Sequence, residues 1–109
     1  MTINTTEIFK KSFRKLLKKD RKLIDEYQQL LDTLKTNPSL GTDLGNGRYK
    51  IRLKNNANNK GKSAGYRVVT YAKIKDSLIL VYIYSKSNQE SVSIQKIDEI
   101  ISNYKSESL

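Results

Sequence analysis

The sequence predicts an α+β domain: a small antiparallel sheet with two N-terminal helices and one C-terminal helix, in the order β-α-α-β-β-β-α. Three observations predict it. Apolar residues recur at helical spacing near both ends of the chain. Between these ends, apolar and basic residues alternate with the period of two that a strand imposes. The chain has 109 residues, enough for one core and too few for a second. There is no internal repeat and no linker composition, so one domain spans residues 1–109.

Thr2–Thr6 reads as a short extended segment, with Ile3 and Thr5 able to point inward from an edge strand. Phe9, Phe13, Leu16 and Leu17 then follow a helical stripe, which places the first helix at about residues 7–18. Lys10, Lys11, Lys15, Lys18 and Lys19 fill much of its remaining circumference. Asp20 can cap a second helix, because its carboxylate accepts an amide left without a partner in the first turn. Leu23, Tyr27, Leu30, Leu31 and Leu34 form the stripe of that helix. Asn37-Pro38 ends it, since a proline disfavours helical geometry in the residue before it. The two helices should run antiparallel, joined by a tight turn near Lys19–Asp20.

Residues 39–47, with Gly41, Gly45 and Gly47, read as a loop. From Arg48 to Lys54 the chain alternates: Arg48, Lys50, Arg52 and Lys54 share one face, and Tyr49, Ile51 and Leu53 the other. Asn55–Gly65 is polar and glycine-rich and reads as a connection. Tyr66–Ile74 and Ser77–Ser85 are the next two strands, with Lys75-Asp76 as the turn between them. Ile94, Ile97, Ile100, Ile101 and Tyr104 stripe a last helix that begins near Ser91 or Ser93. Residues 105–109 are expected to fray.

Composition narrows the chemistry. Cys and His are both absent, which excludes thiol chemistry, His-based acid–base catalysis, Ser-His-Asp triads and ordinary zinc sites. The carboxylates show no metal-binding pattern and no obvious acid/base pair. No metal and no cofactor is expected. No apolar run approaches the roughly 18 residues of a membrane span, and the N-terminus lacks the pattern of a secretory signal. A cytoplasmic protein without a membrane partner is the expectation. The formal net charge is +10, and it is uneven. Residues 1–36 carry net +4, residues 37–77 net +7 and residues 78–109 net −1. A surface of this kind attracts polyanions.

RNA cleavage is compatible with this residue set. RNA carries its own nucleophile, the 2′-hydroxyl beside the scissile phosphate. A protein need only hold that group in line, stabilise the extra negative charge at phosphorus and protonate the leaving 5′-oxygen. Arg and Lys supply the electrostatic part. A lysine surrounded by other cations has its ammonium destabilised, which suits it to proton transfer. Tyr can stack on a base or move a proton. Arg52, Arg67 and Lys86 are the strongest candidates, with Lys50 close behind. By parity Lys50 and Arg52 share a face, Tyr82, Tyr84 and Lys86 share a face, and Arg67 shares one with Val69 and Tyr71. Parity alone does not bring these faces together; the register must. Tyr82 and Tyr84 are both readily explained by packing, and Tyr84 is also a candidate for chemistry. Arg48, Lys54, Lys60 and Lys62 add charge for RNA contact. The Asn59–Gly65 segment that holds Lys60 and Lys62 lacks the spacing of a nucleotide-binding P-loop.

Across nearly its whole length the chain resembles the RelE/ParE superfamily of bacterial toxins, in its HigB-like or RelE-like branch. The resemblance rests on Phe9–Lys18, Asn37-Pro38, Tyr49-Lys50-Ile51-Arg52-Leu53, Gly61-Lys62-Ser63-Ala64-Gly65-Tyr66-Arg67-Val68 and Ile83-Tyr84-Ser85-Lys86. It implies a single RelE-like toxin domain, a cognate protein antitoxin as partner, and ribosome-dependent cleavage of translated mRNA in the A site, with ribosomal RNA contacts. The family's basic positions match Lys50, Arg52 and Arg67, and approximately Lys86; Lys62 lies in the family-like loop. Some relatives place a Tyr or His shortly after the last-strand basic residue, but Ser87–Val92 contains neither. This departure leaves a Lys-based mechanism and use of Tyr84 both open. Gyrase-inhibiting relatives share the fold and supply the alternative function, beside a non-catalytic RNA-binding module.

Overall fold

The structure, a computed structural model, describes residues 1–54 and 65–108. Its elements are β1 (Thr2–Thr5), α1 (Glu7–Lys19), α2 (Leu23–Thr36), β2 (Thr42–Gly45), β3 (Arg48–Leu53), β4 (Tyr66–Tyr71), β5 (Ser77–Ser85) and α3 (Ile94–Ser108). The five strands form one sheet in the order β1-β5-β4-β3-β2. The α+β class and the placement of the helices agree with the expectation. Two details differ. The sheet is mixed, because β1 pairs with β5 in parallel. The segment read as a loop contains β2, which pairs antiparallel with β3.

Each helix start is set by a local device. Thr6 caps α1: its hydroxyl accepts the Phe9 amide at 2.9 Å and donates to the Val81 carbonyl at 2.8 Å. One buried side chain thus both closes the helix and fastens it to β5. Asp20 acts in the turn after α1 and not as the α2 cap residue, which is Lys22. One Asp20 carboxylate oxygen accepts the Lys22 amide at 3.1 Å, and the other accepts the Tyr66 hydroxyl at 2.9 Å. Ser93 precedes α3 and its hydroxyl accepts the Lys96 amide at 3.1 Å. The last helix continues through Ser108.

The β2–β3 hairpin turns at Asn46-Gly47. Both residues have positive φ, +54° and +83°, as a two-residue type I′ turn requires. Gly47 is needed twice over there, because a Cβ would lie 2.5 Å from Cγ of Lys73. β4 stops at Tyr71, three residues earlier than the alternation suggests. The Ala72 amide instead bonds the Gly47 carbonyl at 2.8 Å, and Asp76, at φ +56°, turns the chain into β5.

Both faces of the sheet are apolar where a helix covers them. On one face Phe9, Leu23, Leu30 and Leu34 of α1 and α2 pack on Ile51, Leu53, Tyr66, Val68, Leu78, Leu80 and Ile83. The rings of Phe9, Phe13 and Tyr27 join the two helices, with Phe13 and Tyr27 centroids 4.5 Å apart. On the other face Ile97, Ile100 and Ile101 of α3 pack on Val69, Ile79 and Val81. Val81 is an extra residue on β5: Val69 pairs with Tyr82 and Thr70 with Leu80. The bulge brings Tyr82 onto the same face as Ile79 and Val81.

Candidate catalytic face and nucleic-acid interface

Register decides whether the basic and aromatic residues meet. β3 and β4 pair Lys50 with Val69 and Arg52 with Arg67. β4 and β5 pair Val69 with Tyr82 and Arg67 with Tyr84. Lys50, Arg52, Arg67, Tyr82 and Tyr84 therefore lie in two adjacent cross-strand rows on one face of the sheet. It is the face α3 covers over Ile79 and Val81 and, within the first row, over Val69. In the rows themselves Arg52 is exposed, and Lys50, Arg67 and Tyr82 are half-buried.

Like charges directly opposite on neighbouring strands destabilise a sheet, and Arg52 and Arg67 are such a pair. Between Asp43 and Asp76 the chain has no acidic residue to offset them. A phosphate between two guanidinium forks would reverse the sign of that interaction. Arg67 is oriented in part by its own strand: Nη1 donates to the Tyr66 carbonyl at 3.3 Å.

The two tyrosines differ in setting. Tyr84 is buried and Tyr82 half-buried, and their rings stack with centroids 5.8 Å apart. Burial pushes the Tyr84 hydroxyl above its ordinary value; the Arg67 charge pulls it part of the way back, and Tyr82 adds to the rise. At neutral pH Tyr84 holds its proton, so it can donate one but not accept one. Tyr82 is steadied from the side. Its hydroxyl donates to Oε1 of Gln89 at 3.2 Å, and Nε2 of Gln89 donates to the Ser91 carbonyl at 3.0 Å.

Other predicted residues fall outside the two rows. Lys86 follows β5 directly, and its amide bonds the Gly65 carbonyl at 3.0 Å. Its Nζ donates to the Glu90 carbonyl and lies 3.8 Å from the Glu90 carboxylate. Lys86 is thus engaged with the loop after β5. Arg48 shares strand parity with Lys50 and Arg52 but lies beneath α3. It is buried, and its Nη1 donates to Asp98 at 2.7 Å. That placement makes it a clasp between β3 and α3 and removes it from the open surface. Lys54 is exposed just past β3. Lys60 and Lys62 lie outside the described residues. Among the described residues no group of acidic side chains converges to hold a metal ion, and no helix is long and apolar enough to cross a membrane.

A model of the toxin family described as the RelE toxin of the RelE/RelB toxin–antitoxin system matches residues 1–106. The chain belongs to the RelE family. A comparison with curated proteins finds no match. The RelE assignment covers all of the elements that build the two rows, from β1 to most of α3.

Some residues of this RelE-family chain that border the face were not singled out in the sequence. Gln89 was invisible because its role depends on Tyr82, seven residues earlier, and on the turn that carries the chain back. A groove of about 310 Å³ also flanks the face. It is lined by Ser12, Lys15 and Lys19 of α1 and by Tyr82, Tyr84 and Gln89, among others. The lysines of α1 were legible as a charged arc, but their neighbourhood with the tyrosines follows from how α1 lies along β5.

Proposed function

We propose that this chain is the toxin of a type II toxin–antitoxin system and acts as a ribosome-dependent endoribonuclease on translated mRNA, in the HigB-like or RelE-like manner. The observation that carries the reading is the direct pairing of Arg52 with Arg67, flanked by Tyr84, on an open basic face. Membership of the RelE family supports the toxin role.

In the proposed reaction the RNA 2′-oxygen attacks the neighbouring phosphorus as the bond from phosphorus to the 5′-oxygen breaks. The products are a 2′,3′-cyclic phosphate and a 5′-hydroxyl end. Arg52 and Arg67 hold the non-bridging oxygens and stabilise the added negative charge of the pentacovalent state. Tyr84, protonated at neutral pH, gives its proton to the leaving oxygen. Lys50, in the next row, is the group on the same face that can take the 2′-hydroxyl proton in its neutral amine form. Lys86 joins them once RNA phosphate replaces Glu90 as its partner. Tyr82 offers a ring on which a base can stack. RNA supplies the nucleophile, so the scheme draws on neither a metal nor a cofactor.

The partners follow from the charge. The ribosomal A site presents phosphate on every side, and a cognate antitoxin with an acidic segment would neutralise a chain of net charge +10. The work would take place in the cytoplasm, where translated mRNA is found. The deciding experiment is controlled expression in a bacterial host, with mapping of new RNA 5′-ends and a parallel supercoiling assay. New 5′-hydroxyl ends within translated frames are expected. Loss of supercoiling with intact messages would identify a gyrase inhibitor instead, and RNA binding with neither effect would leave a binding module.

A further inference from the structure

α1 has a charge pattern that folding alone does not call for. Over Glu7–Lys19 it carries Lys10, Lys11, Arg14, Lys15, Lys18 and Lys19 against a single acidic residue, Glu7. All six cations are exposed. Four pairs of them stand at i,i+4: Lys10–Arg14, Lys11–Lys15, Arg14–Lys18 and Lys15–Lys19. Like charges at that spacing destabilise a helix. α2 has the opposite balance on its solvent side, with Asp25, Glu26 and Asp32 against Lys35. Of the two helices on that side of the sheet, only α1 carries a cationic excess.

The second observation is where that helix lies. Ser12, Lys15 and Lys19, spaced three and four apart, fall on the shoulder of α1 that turns toward β5. They form one wall of the groove of about 310 Å³ whose other wall holds Tyr82 and Tyr84. β1 pairs only with Ser77–Leu80 of β5, and the groove runs along the remainder of that strand. Cationic side chains on one wall and the half-buried Tyr82, backed by the buried Tyr84 ring, on the other are the two elements of a single-strand RNA track. The rings are the same ones that stand beside Arg67 on the sheet face.

We propose that the α1–β5 groove is a second RNA-binding site: an RNA strand leaving the sheet face passes over Tyr82 and lays its next phosphates on Lys15 and Lys19. This rests on the proposed function, and it adds a place for nucleotides beyond the scissile one. A trinucleotide would fill the sheet face alone, whereas a longer strand would reach α1.

The test compares binding of labelled RNA oligonucleotides of about three and about twelve nucleotides to the parental chain, to Lys15→Ala/Lys19→Ala and to the charge-matched control Lys35→Ala/Lys96→Ala, each at several salt concentrations. Loss of two phosphate contacts should lower the slope of log affinity against log salt by about 1.4 for the long strand and weaken its binding roughly tenfold, with the short strand unaffected. Arg52→Ala/Arg67→Ala should weaken both lengths. The proposal is overturned if the α1 variant and the control behave alike, since net charge would then suffice. It is equally overturned if the α1 variant keeps RNA affinity but loses binding to polyglutamate, which would make the groove a protein-docking surface. Single-turnover cleavage at saturating RNA separates the two readings. A chain that shows the length-dependent binding but never cleaves retains the track and loses the nuclease.

Discussion

Replacing Arg67 by alanine separates the cost of the site from its benefit. In the folded chain Arg67 opposes Arg52 across the β3–β4 pair. Removing one of two opposed charges relieves repulsion of about 0.2–1 kcal/mol. Against this stand the lost bond from Nη1 to the Tyr66 carbonyl, worth about 1 kcal/mol, and some half-buried stem. Stability should therefore change by no more than about 1 kcal/mol in either direction. Cleavage should respond differently. A guanidinium that meets the pentacovalent phosphorane supplies stabilisation the ground state lacks, and its removal should slow single-turnover cleavage by about 10²-fold or more, a loss of about 2.7 kcal/mol. Arg67→Lys keeps the charge but not the fork and should fall between the two. Tyr84 reports on the same substitution. The Arg67 charge lowers its ionisation from a value raised by burial, so Arg67→Ala should move the Tyr84 titration, read by ultraviolet absorbance, further to the alkaline side. The assay is cleavage of A-site message by ribosome complexes, with folded variants at matched ribosome occupancy. A folded Arg67→Ala chain that cleaves at the parental rate would refute the catalytic assignment of the paired arginines.

Three further outcomes test how the scaffold holds the face. Tyr66→Phe leaves a buried Asp20 oxygen without its 2.9 Å donor and should cost about 1–3 kcal/mol in denaturant unfolding; a change under about 0.5 kcal/mol would show the bond to be idle. Burial and the Asp20 carboxylate raise the Tyr66 ionisation above its ordinary 10, so the unfolded chain gives up this proton first. The parental chain should then lose stability as pH rises above 10, and Tyr66→Phe should flatten that alkaline limb. Thr6→Ala removes both the cap of α1 and its bond to Val81, an expected loss of about 1–2 kcal/mol by thermal or chemical unfolding, which Thr6→Ser should largely restore. Asp98→Ala strands the buried Arg48 guanidinium and should destabilise by about 1–3 kcal/mol, whereas Arg48→Met, which takes the charge away, should cost less. The reverse order would show that Arg48 tolerates burial without its partner.

The parts of this fold that could be read in the sequence are those whose signal is periodic. The stripe from Phe9 to Leu17 and the alternation from Arg48 to Leu53 each require only that one side of an element be buried, and both elements formed as expected. Ser77–Ser85 was legible to its boundaries for a different reason, as a continuous apolar run that is buried on both faces. β2 was not, because the three glycines around it argue for a loop, and the hairpin signal that outweighs them, Asn46-Gly47, sat among those glycines. The parallel pairing of β1 with β5 depends on two helices that carry the chain to the far edge of the sheet and on three antiparallel strands that bring it back, which leaves no mark within Thr2–Thr5 itself.

The same division runs through the site. Strand parity put Lys50 with Arg52 and Tyr82 with Tyr84, but only register places Arg52 opposite Arg67 and Arg67 opposite Tyr84. Arg48 shows the limit of parity. It obeys the same alternation as Arg52, yet four residues along a strand carry it some 13 Å, from the open end of the face to the part beneath α3, where Asp98 replaces phosphate as its anion. One strand face thus holds two arginines with opposite duties. One is neutralised within the fold and helps to build it; the other stands opposite a like charge across the β3–β4 pair. The difference is decided by where a helix from the far end of the chain comes to rest, which no local pattern around Arg48 or Arg52 contains.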